Sequence, residues 1–454
     1  MIQRADDRSP RGPSPGWKGR PLIAPSGEAL ALFAVALALR LAYTWLVHGP
    51  GAVPYSDSAT YDELAWNLAR GQGFQMMGAT ALYPTAKAPL LPWVVSLLYR
   101  GTGHVYFYAI LLQCVIGALV PVVLRALGRS MFGLPVGRIA GWLAVVNPLL
   151  VFFSGYLLTE SLFCVVMLLA LFASVEWLKT PRPGRALGVG VMWGLACLTR
   201  PTAMPLPVVV ALWAWAPLSL TVAASDRLRQ LGLLFLGLVL TLAPWTIRNA
   251  VVLHELVPIS TGGGRTLLDA NNAKVWDDPV MRGNAISTAE VEPWLSKFKN
   301  HSEVEVDRMA SQEAIAFGLS RWRQWPVIAW AKLARFWRPN AMTESTGRWF
   351  QRDSLPDRIL RLLDPLLLWS LVVLPLAIWG LVRTLRSTRQ HFQMLPLLVI
   401  AMFTLSAVVF WGALRMRVPV EPLVVLYAAV GLADVTRRVR LRRAGMALIS
   451  TRRG

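Results

Sequence analysis

Asp57, Glu160, Lys87, Arg200, Arg248 and Arg415 are ionisable residues whose types suit joint chemistry, although they are scattered along the chain. Two carboxylates among several arginines and a lysine fit a reaction in which a base removes a proton while cations hold a phosphate. They can act together only if the fold gathers them, so the elements between them decide the matter. Asp57 lies in Tyr55-Ser56-Asp57-Ser58, ahead of an apolar stripe of Tyr61, Leu64, Ala65 and Leu68 that stops at Gly71 and Gly73. This pattern predicts an amphipathic helix over 59–70 lying on a membrane, with Asp57 just before its start. Asp57 reads equally as an N-cap and as a catalytic carboxylate, because Thr60 and Glu63 could form a capping box instead. Asp62 and Glu63 read as the solvated face of the helix.

The chain has 454 residues, 55% of them hydrophobic and 16% charged, whereas soluble domains carry about 25% charged residues. Near-uniform apolar stretches at 231–245 and 365–381 exclude a water-soluble enzyme. Cys114, Cys164 and Cys197 all fall inside apolar runs, which excludes a disulfide scaffold. Ten apolar runs predict membrane spans near 29–47, 104–124, 139–156, 158–178, 186–199, 203–222, 231–247, 363–382, 392–411 and 418–433. Alternating these spans places 23 cations and five carboxylates on one face, so that face carries +18 of the net +21. The positive-inside rule makes it cytoplasmic. The segment 87–99 is too short to cross comfortably. Letting it cross would also turn the arginines of 125–138 and 383–389 outward, so it reads as interfacial or re-entrant.

The expected architecture is an all-α polytopic bundle of about 10 to 12 transmembrane helices, with amphipathic helices on the outer face. A basic leader, 1–27, precedes a transmembrane core, 28–252, whose first outer loop is 48–103. An outer loop or small helical cap occupies 253–361, with helical patterns at 289–298 and 302–325. Transmembrane helices over 362–436 and a basic tail, 437–454, complete the chain. The first span reads as a signal anchor, and the arginines from Arg437 to Arg443 as a topology anchor touching anionic lipid rather than nucleic acid. Trp325, Trp330, Phe336 and Trp337 among Lys332, Arg335 and Arg338 suit the headgroup level. Gly262-Gly263-Gly264-Arg265 resembles a phosphate loop but reads as a flexible outer loop, and no nucleotide-binding glycine motif follows a strand. The five histidines never fall in ligand spacing, so no metal site is expected from them; a magnesium or manganese ion on Asp57 and Glu160 is conceivable.

The run from Tyr55 to Phe74 resembles the first-loop motif of bacterial membrane glycosyltransferases with the GT-C fold, in the glycosyltransferase family 39 group. That group includes protein O-mannosyltransferase-like enzymes and the lipid A aminoarabinose transferase. Similar in order and spacing are Lys87-Ala88-Pro89, Leu158-Thr159-Glu160, Thr199-Arg200-Pro201, Pro244-Trp245-Thr246-Ile247-Arg248-Asn249 and Arg415-Met416-Arg417-Val418-Pro419. The resemblance implies transfer of a hexosyl or pentosyl unit from a polyprenyl-phosphate sugar to a lipid, glycan or protein acceptor. The reaction would take place at the outer face of a bacterial cytoplasmic membrane. It implies Asp57 as base and Glu160 as the second acidic residue. Lys87, Arg200, Arg248, Arg415 and Tyr61 would bind donor and phosphate. The contrasting reading is a transporter or lipid flippase, disfavoured because the spans carry few charges, chiefly Arg40, Glu176 and Glu421, and show no repeat.

Overall fold

The computed structural model describes residues 26–77, 82–83, 85–216, 223–340, 364–387 and 391–450. The basic leader up to residue 25, residues 341–363 and the last four residues lie outside this set. The bundle comprises α1 (Gly27–Val47), α4 (Tyr106–Phe132), α5 (Leu134–Val145), α6 (Pro148–Ser154), α7 (Thr159–Lys179), α8 (Pro183–Thr199), α9 (Pro205–Trp215), α10 (Ala224–Leu253), α16 (Pro365–Ser387), α17 (Leu395–Val409) and α19 (Glu421–Ser450). Packed with the bundle are α2 (Asp57–Ala69), α3 (Leu90–Thr102) and a group from α11 (Gly263–Ala270) to α15 (Trp325–Phe336). This group includes α12 (Ala273–Trp276), α13 (Trp294–Lys297) and α14 (Glu303–Ser320). A one-turn helix, α18 (Leu414–Arg417), joins α17 to α19. A two-residue antiparallel ladder pairs Met76 with Tyr83 and Met77 with Leu82.

Among the described residues seven helices are long and apolar enough to cross a membrane, or eight if α5 and α6, bent by 52°, count as one broken span. The remaining two of the ten expected runs are helical but short: α8 has 17 residues and α9 has 11. The bend between α5 and α6, in the third of the ten runs, has a local cause. Pro148 cannot donate to the preceding turn, and Asn147 restarts the helix by accepting from the Leu150 backbone amide at 3.1 Å. Close helix approach is allowed by missing side chains. A Cβ at Gly190 or Gly237 would overlap backbone of the facing helix in the α8/α10 pair, and the same holds for Gly380 and Gly431 in the α16/α19 pair. Such small-residue contacts drive association where lipid removes the hydrophobic gain.

Polar contacts tie the helix ends that the sequence assigns to one face. Glu28 accepts from Arg125 at 2.8 Å and from Arg138 at 2.7 Å, and Gln393 donates to the Met131 carbonyl at 2.9 Å. The 253–340 region carries its own apolar clusters, one of Leu268, Trp294, Phe298, Val306, Ala310 and Ala314, another of Val275, Trp276 and Ile328. Of the helical pattern at 289–298, only the four residues of α13 are α-helical, and the pattern at 302–325 ends as α-helix at Ser320. The amphipathic stretch at 325–337 is helical, but Lys332 and Phe336 are buried, while Trp330 is exposed. Lys332 therefore does not stand at a lipid headgroup. It donates to Asn271 Oδ1 at 2.8 Å and to the Val409 carbonyl at 3.2 Å.

Candidate active site

Asp57 is the first residue of α2 rather than a residue preceding it, and neither of the capping arrangements forms: Ser56 is the N-cap and makes no side-chain cap. Ser56 has φ of +53°, a costly backbone for a residue with a Cβ, immediately beside Asp57. The Asp57 carboxylate turns to two cations. Lys87 Nζ donates to Oδ1 at 2.9 Å, and Arg415 Nη1 donates to Oδ2. Arg415 Nε also donates to Glu160 Oε1, so one guanidinium bridges the two carboxylates. Arg200 Nη1 reaches the same Glu160 oxygen at 3.2 Å, and its Nη2 lies 3.4 Å from Met416 Sδ. Lys87 Nζ stands 5.8 Å from the centre of the buried Tyr61 ring. Five residues from five separate parts of the chain thus form one chain of ion pairs over an aromatic base.

Burial works to raise Asp57, but the charges of Lys87 and Arg415 outweigh it and hold the carboxyl well below its usual range. Burial likewise works against the charge on Lys87, and Asp57 reverses this, so the amine sits above its ordinary value. Asp57, Lys87 and Arg415 keep about a third of their side-chain surface open, while Glu160 has none. The open members are the ones an incoming anion can reach.

The elements behind the cluster explain its geometry. Asp62 is a correction to the sequence reading: it is buried, accepts from the Tyr99 hydroxyl, and lies 2.8 Å from His104 Nε2. His104 in turn stacks on Trp66 with ring centres 4.7 Å apart. This polar knot fastens α2 to α3 and to the chain entering α4, fixing the helix that begins with Asp57. Glu160 opens α7, and Gln113 of α4 donates to the Leu158 carbonyl at 2.8 Å just before it. Arg415 is aimed by its neighbour. The buried Arg417 Nε donates to Glu421 Oε1 at 2.6 Å and its Nη1 donates to the Arg338 carbonyl, while Asn147 donates to the other Glu421 oxygen at 2.8 Å.

Arg248 does not join the cluster. It lies within α10 rather than at its end and donates to Thr85 Oγ1 at 3.0 Å, Asn249 Oδ1 at 3.1 Å and the Phe74 carbonyl at 2.9 Å. Glu303 Oε2 accepts from the Thr85 amide at 3.3 Å. This second group pins the segment leading to Lys87 against α10 and α14, so Arg248 holds backbone and amide oxygens. Burial raises Glu303 above the usual carboxylate range.

The triglycine run is not the flexible loop expected. Gly262 opens it in a left-handed conformation as the N-cap of α11, which begins at Gly263, and the amides of Gly262 and Gly264 both donate to Asp307 Oδ1 at 2.7 Å. The protein's own carboxylate fills the place of a phosphate. Arg40 is fully buried at mid-span; it donates to the Ala36 carbonyl at 3.1 Å and makes no ion pair with Glu160 among the described residues.

A divalent ion fits poorly between Asp57 and Glu160. Both Asp57 oxygens and Glu160 Oε1 already accept from cations, and Arg415 lies between the carboxylates. Among the described residues no three His, Cys, Asp or Glu side chains group as metal ligands.

Residues 86–247 match the family described as dolichyl-phosphate-mannose-protein mannosyltransferase. No curated protein matched. The archaeal oligosaccharyltransferase AglB of Archaeoglobus fulgidus, in complex with an inhibitory peptide and a dolichol-phosphate, superposes with a TM-score of 0.54 at 15% identity. The match covers 92% of this chain and 51% of that one, so this chain spans about half its length. The same oligosaccharyltransferase tethered to an acceptor peptide gives a TM-score of 0.52 at 14% identity, over 92% and 50%. ArnT of Cupriavidus metallidurans bound to undecaprenyl phosphate is a looser likeness, with a TM-score of 0.42 at 16% identity over 91% and 79%. The chain is a multi-pass membrane protein with the GT-C fold, and its residues 86–247 are similar to the mannosyltransferase family.

Proposed function

We propose that this protein transfers a sugar from a polyprenyl-phosphate-linked donor to a hydroxyl or amine acceptor at the outer face of a bacterial cytoplasmic membrane. The observation that carries the reading is the bridge from Lys87 through Asp57, Arg415 and Glu160 to Arg200: three cations and two carboxylates share one end of the bundle. The matched family and the dolichol-phosphate held by the archaeal oligosaccharyltransferase support a lipid-linked donor.

The chemistry follows from charge. As the bond from the anomeric carbon to the phosphate oxygen breaks, the phosphate leaves with the electron pair and gains negative charge. Lys87, Arg415 and Arg200 stand ready to neutralise that charge. The anomeric carbon passes through an oxocarbenium-like state and is captured by the acceptor oxygen or nitrogen, whose proton goes to Asp57. In the resting site Asp57 is a weak base, because two cations hold its charge. A donor phosphate competes for those cations, so the same binding event frees the carboxylate and raises its basicity. The donor reaches the site sideways from the bilayer, which needs no soluble nucleotide-binding domain. The 253–361 region is proposed to select the acceptor.

The test is release of radiolabelled sugar from a polyprenyl-phosphate donor by purified protein, wild type against Asp57→Asn. Wild-type release that is lost in the variant supports an enzyme. Equal inertness of the two would instead favour a transporter or flippase.

A further inference from the structure

One cavity in this structure is lined by none of the residues of the Asp57 cluster. It has a volume of about 1270 Å³ and is lined by the C-terminal parts of α4, α16 and α19 and by α5. These are the helix ends that the arginine distribution assigns to the cytoplasm. Its lining combines Trp142, Leu143 and Leu441 with Arg138, Arg437 and Arg440. Apolar surface and positive charge therefore meet in one hollow.

The charge is not balanced from within. Asp434 is the carboxylate in the lining, and it is already taken. It accepts from Arg438 Nε at 2.8 Å and from Trp379 Nε1 at 3.1 Å, and it pairs with Arg383 at 3.3 Å. Arg138 is paired to Glu28. Arg437 and Arg440 are exposed and have no carboxylate partner among the described residues. The apolar side is equally uncovered: Trp142 is 41% exposed and Leu441 is 62% exposed. The flanking sequence adds cations rather than a surplus of carboxylates: residues 1–25 hold five cations against Asp6 and Asp7, and the tail beyond 441 holds arginines and no carboxylate.

We propose that this cavity binds an acidic phospholipid of the inner leaflet, with Arg437 and Arg440 taking its phosphate and Trp142 and Leu441 packing along its acyl chains. A basic pocket between spanning helices at the cytoplasmic surface matches such a lipid in both halves, head and tail. A soluble phosphate would satisfy the arginines but leave the tryptophan and leucine wall in water. The site is separate from the transfer chemistry, and α19 runs the length of the bundle between them, from Glu421 beside the Arg417 pair to the cavity.

Native mass spectrometry of the full purified chain tests this, with dioleoyl phosphatidylglycerol, dioleoyl phosphatidylcholine or inorganic phosphate as the probe. Wild type should retain phosphatidylglycerol with about tenfold greater affinity than phosphatidylcholine, a difference of about 1.4 kcal/mol. The pair Arg437→Ala and Arg440→Ala should abolish that preference, while Arg437→Lys with Arg440→Lys keeps most of it and guards against misfolding. Arg182→Ala with Arg229→Ala, two exposed arginines expected on the same face but outside the cavity, should leave it intact. Equal retention of the two lipids would overturn the proposal. So would an equal loss of preference in both alanine pairs, which would mean general surface charge, or displacement of the lipid by millimolar phosphate, which would mean a soluble anion.

Discussion

Two groups of charged residues stand at one end of this bundle, and the sequence makes them look alike. Around Asp57, every cation is spent on another ion: Lys87, Arg415 and Arg200 meet carboxylates, and three of the members stay partly open. Around Arg248, the cation meets a hydroxyl, an amide and a carbonyl, and the nearby Glu303 accepts from backbone. The first arrangement can exchange partners with an incoming anion, since a phosphate offers its cations what the carboxylates offered. The second cannot change without undoing the chain path to Lys87. On the proposed function, the open ion pairs carry the chemistry, and the arginine hydrogen-bonded to neutral oxygens supports the chain around them.

The sharpest way to break this contrast is to mutate both groups. Asp57→Asn keeps shape and removes the base, and should lower sugar transfer by about 10³-fold with little change in melting temperature. Arg248→Ala should do the reverse, costing about 2 kcal/mol of stability and less than tenfold in activity once folded protein is counted. Equal activity losses in the two would erase the distinction. Arg415→Lys comes next: a single ammonium cannot span both carboxylates, so kcat should fall by about 10²-fold despite the retained charge. An unchanged kcat would show that charge alone suffices.

A pH profile gives a smaller effect. With Asp57 held below its ordinary value, kcat/KM of wild type should show no acid limb near about pH 4, and Lys87→Gln should bring one up into view. The sign for stability agrees. The Asp57 pairs stabilise the fold above the ordinary carboxylate value, and that contribution is lost only as pH falls through the depressed one. An acid limb at the same pH in both proteins would contradict the assignment.

The smallest expected effect lies at Lys332 in the 253–340 region. Burial lowers Lys332 to about 7 from an ordinary 10.5. Between these values the unfolded chain binds the proton and the folded chain does not, so stability should rise as pH increases from about 7 towards 10.5. Lys332→Met should flatten that slope in thermal melts. A slope kept by the variant would assign it to other groups.

Much of this was legible in the sequence for a physical reason. A span must be apolar throughout and its flanks must respect the charge rule, so the ten runs and the shared face of Glu28, Arg125 and Arg138 could be read without a structure. Asp57, Lys87, Glu160, Arg200 and Arg415 were also readable, because alternating topology brings their loops to one end. What could not be read was which arginine faces which oxygen. Arg248 and Arg415 both read in the sequence as helix-end arginines, and only packing separates them. Asp62 was misread because helical periodicity places it beside the buried Tyr61, and its partners Tyr99 and His104 come from a different helix and loop. The bend at Asn147 carried its signal, a proline after an asparagine inside an apolar run, but the partner Glu421 lies far along the chain.

The account rests on the claim that Lys87 and Arg415 exchange Asp57 for a lipid phosphate. Titration of polyprenyl phosphate into the purified protein in nanodiscs measures this directly. Arg415→Gln and Lys87→Gln should each weaken binding by at least about tenfold, while Asp57→Asn, which removes the competing carboxylate, should bind as tightly as wild type or tighter. Affinities that are equal in all four proteins, or weakest in Asp57→Asn, would contradict it.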